Sequence, residues 1–545
     1  MQIENLVLLF ASLFHGRIST TIGKYEPHML KRLTIASCLL LSACMVGPDY
    51  KEPAKIVAAH WMQLNSTVKE IPLRNANWWK AFNDPTLTAL IYQGYYNNLS
   101  LQITGVRVLQ TRAQLAQSVG ELYPQKQAMV GDYTYNRIGG SSLQTILPSS
   151  FKTAALGFSA SWELDFWGKY RRAIRADDAT FLASVAAYDN ALVTLTSDVA
   201  SAYVSIRTDE KLIRVTKANI QLQAMSLKIA KSRYKGGQTS LLDVEQAQTE
   251  LAETEATLPT LISDLQRQKD KLGVLLGIIP NQVDALLKKS YGIPRTPPTV
   301  AVSIPLETLI QRPDIHQARL EAVAESEKIG AVKANLYPAL SLVGNFSFAA
   351  NTIGKNSISD IFNWSNRTIT AGPQLAWSLL NYGQITNAVR AQDAVFQQVL
   401  LKYLNVVLNA QQEVQDNITR YVEAKKSLAF LVQANNSATV STKLALVRYR
   451  EGEANYTTVI DVERQQLRVQ TSLANAQGEV AQALVALYRS LGGGWQIRGC
   501  NDIVPKHIKQ EMAARTNWGS LLKETNHMPP ATNKQRIKQL YLPTW

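Results

Sequence analysis

The chain of 545 residues is poor in cysteine, with three, and it is also poor in long apolar runs. Cys38 and Cys44 belong to a predicted signal segment, so Cys500 would be the single thiol that remains free. An exported chain with one free thiol has no intrachain disulfide framework, and packing alone must stabilise its fold. No segment after the signal has the run of about 18 apolar residues typical of a membrane-spanning helix, so no such helix is expected.

The chain also lacks the patterns that catalysis and nucleic-acid binding require. Its six histidines form no H-E-x-x-H pair, and the sequence contains no phosphate-binding loop and no nucleophile elbow. The net charge is +15, but the cations form no basic block or recognisable motif, so no nucleic-acid partner is expected. The methionines do not cluster, which gives no support to soft-metal transport. We therefore expect no enzyme activity and no catalytic, metal-binding or cofactor-binding residues.

The segment MLKRLTIASCLLLSAC, which ends at Cys44, has the form of a bacterial lipoprotein signal. Two basic residues precede an apolar run over 33–41 that is too short to span a bilayer. The lipobox LSAC predicts a covalent lipid on Cys44; the alternative is an ordinary signal with a chance cysteine. Met45, in place of Asp, favours the outer membrane over the inner one. We expect translation to start at Met29, and residues 1–43 to form an upstream extension and the signal peptide.

The second half of the chain repeats motifs of the first half at a nearly constant offset. FSASWELDFWGKYRRAIRA at 158–176 matches PQLAWSLLNYGQITNAVRA at 373–391. SRYKGGQTSLLDVEQAQ at 232–248 matches VRYREGEANYTTVIDVERQQ at 447–466, which carries three extra residues. Matches of this length, in the same order, indicate a duplicated unit.

Each repeat contains one very long stretch without glycine or proline, over 169–235 in the first and 384–451 in the second. Apolar residues recur near heptad spacing in the first stretch, which predicts one long coiled-coil helix; the alternative is two or three shorter helices. Glycines then allow a tight reversal, and return helices are expected over about 239–276 and 456–491. Pro259 and Gly478 lie inside these return helices and should break or bend them.

Alternating side chains before each long helix predict β-strands. In LGFSASWELDFW and ITAGPQLAWSLL, apolar residues alternate with small or polar ones over about ten residues, which is the signature of a membrane β-strand. The alternative is two soluble hairpins packed on a core. We expect strands at about 126–137, 155–167, 339–349 and 368–380.

Four strands cannot close a membrane barrel, because an unpaired backbone group in lipid costs several kcal/mol and the smallest barrels have about eight strands. Two copies would supply about eight strands and a barrel filled by its own side chains. Three copies would supply about twelve, wide enough to leave a pore. We therefore expect three copies around one pore, with a tube of helices continuing the barrel.

Several motifs resemble the TolC-like outer-membrane factor family, within it the efflux lipoproteins (NodT-type) that pair with resistance-nodulation-division pumps. The similar segments are CMVGPDYKEP (44–53), NWWKAFNDPTLTALIYQGYYNNLSLQ (77–102), QRPDIHQARLEAVAESEKIGAVKANLYP (311–338) and ALYRSLGGGW (486–495). The resemblance runs from about residue 41 to residue 495 and leaves the basic tail, 496–545, outside it.

The resemblance implies a mainly α-helical homotrimer, in which a twelve-stranded β-barrel is continued by an α-helical barrel with an equatorial girdle. It implies a location in the cell outer membrane, lipid-anchored and extending into the periplasm. The periplasmic end of the tunnel would be closed at rest. It would open when a periplasmic adaptor (membrane fusion) protein docks and joins it to an inner-membrane resistance-nodulation-division pump. The chain itself would hold no cofactor apart from the lipid on Cys44.

The expected organisation combines the repeat with this resemblance. Its parts are the extension and signal (1–43), an N-terminal lead-in (44–80), the first repeat (81–280), an equatorial linker (281–305), the second repeat (306–495) and the C-terminal tail (496–545). The tail is basic and contains prolines, so it should be poorly ordered or lie along the outside.

The two hairpin turns match the tips that meet the adaptor in this family. The corresponding residues are Arg233, Tyr234, Gly236 and Gly237 in the first turn, and Arg448, Tyr449 and Gly452 in the second. The family narrows its tunnel end with acidic side chains, and Glu451 or Glu453 would supply that ring here. Arg448 is the candidate cation that holds the closed form together. Asp243 and Asp461, which match each other after the turns, are expected to cap or pair across the return helices.

The leading functional interpretation is the exit duct of a tripartite efflux pump, a passive conduit for drugs or other small molecules. The alternative in the same architecture is the outer-membrane component of a type I protein secretion system, which the lipobox and the GPDY start disfavour. A third interpretation is a non-channel envelope spacer or adhesin.

Overall fold

The structure is a computed structural model that describes residues 45–54, 57–62, 67–71, 76–139, 148–288, 292–499, 501–523 and 540–543. The signal, the lipidation candidate Cys44 and the free thiol Cys500 lie outside these residues. The described residues divide into two compact units: one comprises those up to Gly47 and those within Lys126–Lys169 and Lys333–Asn381, and the other comprises the remaining described residues. We call them the sheet unit and the helical unit.

The elements of both units follow the repeat. The strands are β1 (Val68–Glu70), β2 (Lys126–Arg137), β3 (Ser150–Glu163), β4 (Val300–Val302), β5 (Ala339–Asn351) and β6 (Arg367–Ala376). The α-helices are α1 (Pro85–Asn97), α2 (Leu99–Gly120), α3 (Lys169–Lys235), α4 (Leu241–Leu276), α5 (Val283–Leu287), α6 (Pro305–Gln311), α7 (Pro313–Lys333), α8 (Gln384–Glu451), α9 (Tyr456–Ser490) and α10 (Lys506–Arg515). The predicted unit of a β-hairpin followed by a long helical hairpin is therefore confirmed in both halves.

The sheet unit contains one antiparallel sheet of four strands in the order β2-β3-β5-β6. Its register aligns Met129 with Phe158, Phe158 with Phe346, and Phe346 with Ile369. Met129, Phe158 and Ile369 are 60–63% exposed, so an apolar row crosses all four strands on a surface face. This row belongs to the alternating pattern that predicted the strands.

β3 begins at Ser150, ahead of the expected start at residue 155, and ends at Glu163. Beyond that end, the Leu164 amide still donates to the Leu340 carbonyl at 2.8 Å, but the Phe166 amide turns back to the Leu164 carbonyl at 2.9 Å. This local turn ends the pairing of β3 with β5 before the alternating pattern of the sequence ends.

The helical unit is dominated by two hairpins. Each long helix is continuous, with 67 residues in α3 and 68 in α8, so the alternative of shorter helices is wrong. The return helices are α4, with 36 residues, and α9, with 35. None of the described helices combines the length and the apolar character that crossing a bilayer requires.

The expected break at Pro259 is absent, because α4 runs through it. Proline removes one backbone hydrogen bond to the carbonyl four residues earlier, but Glu255 and Pro259 are both exposed, so water can satisfy that carbonyl. Gly478 also leaves α9 intact. A Cβ atom there would collide with Thr208 of α3, so this glycine permits close helix packing instead of ending the helix.

The lead-in and the linker meet in the helical unit. β1 and β4 form a short parallel pair in which Val68 faces Val300, and both residues are buried. Trp78 and Trp79 pack in the same core beside Tyr488, whose ring stacks on that of Trp78 at 5.4 Å between centroids. These contacts join the segment before the first repeat to the linker region and to the end of α9.

The described part of the tail packs on the helical unit, so of the two expectations the structure favours a tail that lies along the outside over a poorly ordered one. Ile503 and Met512 are buried, and Arg112 of α2 donates to the Leu521 carbonyl at 2.8 Å. Tyr123 donates to the Tyr541 carbonyl at 2.9 Å. These described residues of the tail thus lie along α2 and the segment just after it.

Candidate functional site: the tips of the helical hairpins

The two hairpin tips share one backbone design. Gly237 and Gly452 have φ of 71° and 84°, a left-handed conformation that glycine adopts without steric cost. The amides of the next residues, Gln238 and Glu453, donate back to the carbonyls of Arg233 and Arg448 at 2.9 and 2.8 Å. This is the Schellman arrangement, which satisfies carbonyls left free at a helix end.

The side chains of the second tip pack against the first hairpin. Tyr449 is 2% exposed. The Arg233 guanidinium lies 4.6 Å from the centre of the Tyr449 ring and also donates to the Tyr449 carbonyl. The Tyr449 hydroxyl donates to Asp243 at 3.4 Å, and burial is the main cause that raises the pKa of Tyr449. Arg233, Tyr449 and Asp243 therefore join the two hairpins within one chain.

A second polar contact lies about three helical turns from the tips. Ser226 of α3 donates to the Glu463 carboxylate of α9 at 2.7 Å, and both residues are 1% exposed. Burial raises the pKa of Glu463 to about 7, while the Ser226 hydrogen bond lowers it. Nearby, Arg464 donates to Glu250 at 2.5 Å. Sequence reasoning missed this cluster, because polar residues on a helix are usually solvated and only the packing shows that these are buried.

The predicted gate residues lie on the surface of the single chain. Arg448 and Glu453 form an ion pair at 3.8 Å and are 64% and 67% exposed, which makes their interaction weak in water. Glu451 is also exposed. Tyr234, the counterpart of Tyr449, is 44% exposed. The structure thus brings Arg233 and Tyr449 together and leaves Arg448, Glu451, Glu453 and Tyr234 on the outside.

No group of three or more His, Cys, Asp or Glu in the described part of the chain is arranged to hold a metal ion. The polar groups at the tips bond to one another and to the backbone. Their arrangement provides helix packing and exposed charge at the end of a long hairpin.

Comparison with known proteins agrees with this architecture. Residues 90–278 and 304–493 match the family model described as outer membrane efflux protein, which covers both repeats and more than half of the chain. Nodulation protein T of Rhizobium leguminosarum bv. trifolii is 26% identical, with 84% of this chain and 96% of that protein covered. The probable outer membrane lipoprotein SilC of Salmonella typhimurium is 25% identical over 86% of this chain and 99% of SilC.

Among solved structures, the outer-membrane channel OprN superimposes with a TM-score of 0.76 and 28% identity, covering 83% of this chain and all of that one. The fold and both repeats are therefore shared along nearly the whole length of these relatives. The chain belongs to the outer membrane efflux protein family, as its motifs predicted, and it is an outer-membrane efflux channel.

Proposed function

We propose that three copies of this chain form the exit duct of a tripartite efflux pump, with a twelve-stranded barrel in the outer membrane and a helical tunnel in the periplasm. The observation that carries the proposal is the open four-stranded sheet with its exposed apolar row. In the described chain, β2 and β6 each pair with one strand and form the two edges of the sheet. The duct performs no chemistry of its own.

The sheet supports assembly for a physical reason. An unpaired strand edge in lipid leaves backbone groups without partners, and each costs several kcal/mol. Met129 of β2 and Ile369 of β6 are 61% and 63% exposed, so both edge strands carry apolar side chains on the same face. Pairing β6 of one copy with β2 of the next satisfies both edges and extends the apolar row around a closed barrel.

The tips are proposed as the docking surface for a periplasmic adaptor protein, which would connect the duct to an inner-membrane resistance-nodulation-division pump. Their exposed residues, Tyr234, Gly236, Gly237, Arg448 and Gly452, are available at the ends of the hairpins. Arg233 and Tyr449 would hold the shape of this surface from within, since they join the two hairpins.

Glu451 and Glu453 are the proposed acidic ring at the closed end of the tunnel. Three copies would place like charges around a narrow axis, where they repel one another and attract cations. Arg448, which lies 3.8 Å from Glu453, is the proposed cation that offsets this repulsion in the closed form.

Cys44 is the proposed lipid attachment site, on the grounds of the LSAC lipobox. The name of SilC, a probable outer membrane lipoprotein, agrees with this proposal. Mass spectrometry of the purified protein should find an acylated cysteine at the mature N-terminus, and Cys44→Ala should abolish it.

Single-channel recording tests the proposed duct directly. Purified protein added to a planar bilayer should give discrete conductance steps, and replacing both Glu451 and Glu453 by Gln should reduce the preference for cations. Protein that is folded and trimeric but gives no conductance would contradict the proposal and favour a spacer or an adhesin.

A further inference from the structure

The described residues of the tail follow α2 in chain order. A Cβ atom added at Gly105 would lie 2.8 Å from the Ile503 carbonyl oxygen, so the tail backbone crosses α2 at that point. Further along α2, Arg112 donates to the Leu521 carbonyl at 2.8 Å. Between these two contacts the tail advances about 10 Å along the axis of α2. The tail therefore runs towards the end of α2 that leads into β2.

Two hydrogen bonds fix the last described segment of the tail, 540–543, at that end of the helical unit. Tyr123, which follows α2, donates to the Tyr541 carbonyl at 2.9 Å. Arg175, in the second turn of α3, donates to the Tyr541 hydroxyl at 3.1 Å. Both the backbone and the side chain of Tyr541 are thus held in place.

Chain connectivity places Tyr541 near two passages between the units. Tyr123 precedes Lys126, the first residue of β2, by a stretch of chain that spans at most about 11 Å. Arg175 lies about 9 Å along α3 from Lys169, the last residue of the sheet unit before the chain enters the helical unit. Tyr541 therefore lies close to the level at which the chain leaves one unit and enters the other.

Aromatic side chains mark the passages between the units. Each of the four passages has one within about five residues, namely Tyr123, Trp167, Tyr337 and Tyr382. Membrane β-barrels carry girdles of Trp and Tyr at the level of the lipid headgroups. The passages therefore mark the headgroup level of the proposed barrel, and Tyr541 adds an aromatic ring there.

The residue after Tyr541 presents an apolar side chain to its surroundings. Leu542 is 57% exposed, while Tyr541 and Pro543 on either side of it are half-buried. One exposed leucine is ordinary on a surface in water. At the headgroup level the same side chain can reach the acyl chains, where its burial is favourable.

We propose that the segment 540–543 binds the phospholipid layer around the barrel, with Tyr541 among the headgroups and Leu542 inserted between the acyl chains. Tyr123 and Arg175 position the segment for this contact. The inference rests on the proposed function, because the proposed barrel sets the level of the lipid. The family model ends at residue 493, so the contact belongs to a segment outside the shared architecture.

The size and charge of the tail favour a lipid surface over a protein partner. In the segment 540–543, Leu542 is the one large apolar side chain that is more than half exposed, whereas a stable protein interface buries about 800 Å² on each partner. A bilayer needs no such patch, because it supplies a continuous apolar layer. Residues 496–545 contain eight Lys or Arg and three Asp or Glu, and a basic segment is attracted to anionic phospholipids.

Fluorescence quenching by spin-labelled lipids tests this contact. In a Cys500→Ser background, the full lipidated protein with Leu542→Cys is labelled with bimane and placed in vesicles of phosphatidylethanolamine and phosphatidylglycerol. Lipids that carry a nitroxide just below the headgroup should quench at least half of the emission. Iodide in the water should quench bimane at 542 at least threefold less than bimane on an exposed residue of α10.

Two control positions calibrate the measurement. Lys506→Cys is exposed on α10, near the contact of Ile503 with Gly105, which lies about 22 Å along α2 from its end. Bimane there should respond to iodide and show at least fivefold less quenching by lipid than bimane at 542. Ile369→Cys, in the apolar row of the sheet, should be quenched most strongly by a nitroxide at the middle of the acyl chain.

A third variant tests the positioning residues. Tyr123→Phe/Tyr541→Phe removes both hydrogen bonds to Tyr541 and keeps the two rings. Quenching by lipid at 542 should fall at least twofold, while quenching at 369 should not change. Unchanged quenching at 542 would show that these two bonds do not position the segment.

The possible failures are distinguishable. If lipid quenches bimane at 369 but only iodide quenches it at 542, the lipid contact is wrong while the proposed duct stands. If neither quencher reaches 542, protein covers this residue, and the surface belongs to a neighbouring copy instead of lipid. If lipid quenches neither 369 nor 542 in a protein with native helix content, the sheet does not lie in the bilayer and both proposals fail.

Discussion

The two long helices are nearly equal in length but differ in their surroundings, because far more of the side chains of α3 than of α8 are buried. Both descend from the same repeated sequence, so intrinsic helix propensity cannot explain the difference. α3 contacts α1, α2, α4 and α9 within the chain. α8 contacts α9, α6 and the lead-in and meets the first hairpin at its tip, but more of its side chains face outward. Helices of similar sequence and length are therefore buried to different extents, because they have different neighbours within the chain.

Substitution of the two tip tyrosines should give the largest difference in stability between the two hairpins. Tyr449→Ala removes a buried ring that is 2% exposed, and should lower the unfolding free energy of the subunit by about 3–5 kcal/mol. Urea unfolding followed by far-UV circular dichroism in detergent measures this loss.

Tyr234→Ala is the matched control. Tyr234 is 44% exposed, so its substitution should leave the subunit as helical as the native protein and change its unfolding free energy by less than about 0.5 kcal/mol. Equal losses of subunit stability from the two tyrosine variants would contradict the assignment of Tyr449 as the internal contact.

The buried carboxyl group of Glu463 should make stability depend on pH. Burial raises its pKa from 4.5 to about 7, so the folded state binds a proton more tightly than the unfolded state. This group's contribution to stability is full below pH 4.5 and is lost as pH rises through 7, by about 3 kcal/mol.

Glu463→Gln should remove that dependence, since an amide cannot ionise. The difference in unfolding free energy between the native protein and this variant, measured from pH 4.5 to 8, isolates the effect from other titrating groups. Parallel profiles across this range would show that Glu463 does not titrate in the folded state.

Alanine substitutions at the two adjacent glycines of the first tip should have different effects on stability. Gly237→Ala forces a Cβ atom into a left-handed conformation with φ of 71° and should cost about 1–2 kcal/mol. Gly236 has no positive φ and no neighbour that an added Cβ atom would meet closer than 3.6 Å, so Gly236→Ala should be neutral or slightly stabilising. Thermal unfolding of both variants checks the prediction; a larger loss at Gly236 would contradict the capping geometry.

Alanine substitutions at Arg233 and Arg448 should give the smallest difference in subunit stability. Arg233→Ala removes the ring contact and the bond to the Tyr449 carbonyl and should cost about 1–2 kcal/mol of subunit stability. Arg448→Ala removes an exposed ion pair and should change subunit stability by less than about 0.5 kcal/mol. Chemical unfolding of the two variants side by side decides whether the two positions differ as the structure requires.

Much of the fold could be predicted from local signals. Stretches without glycine or proline indicated the long helices, and Gly237 and Gly452 marked the turns, because chain reversal at a helix end needs a left-handed residue. Pro259 misled the prediction, since an exposed proline can be accommodated when water satisfies the freed carbonyl. The packing of Ile503 and Met512 in the tail could not be predicted, because nothing local indicates which surface a short helix covers.

The candidate site was predictable only in part. RYKGG and RYREG are almost the same sequence, yet Tyr449 is buried and Tyr234 is exposed. That difference arises from which neighbour each tip has, and a neighbour is a property of topology, not of local sequence. The polar contact of Ser226 with Glu463 was hidden for the same reason.

The mass of the folded protein in detergent tests the central claim most directly, namely that three copies combine their open four-stranded sheets to close the duct. Sedimentation equilibrium of lipidated protein, with its helix content verified by circular dichroism, should give the mass of three chains. A protein with native helix content that sediments as one chain would contradict the account, because the edges of its four-stranded sheet would then have no partner.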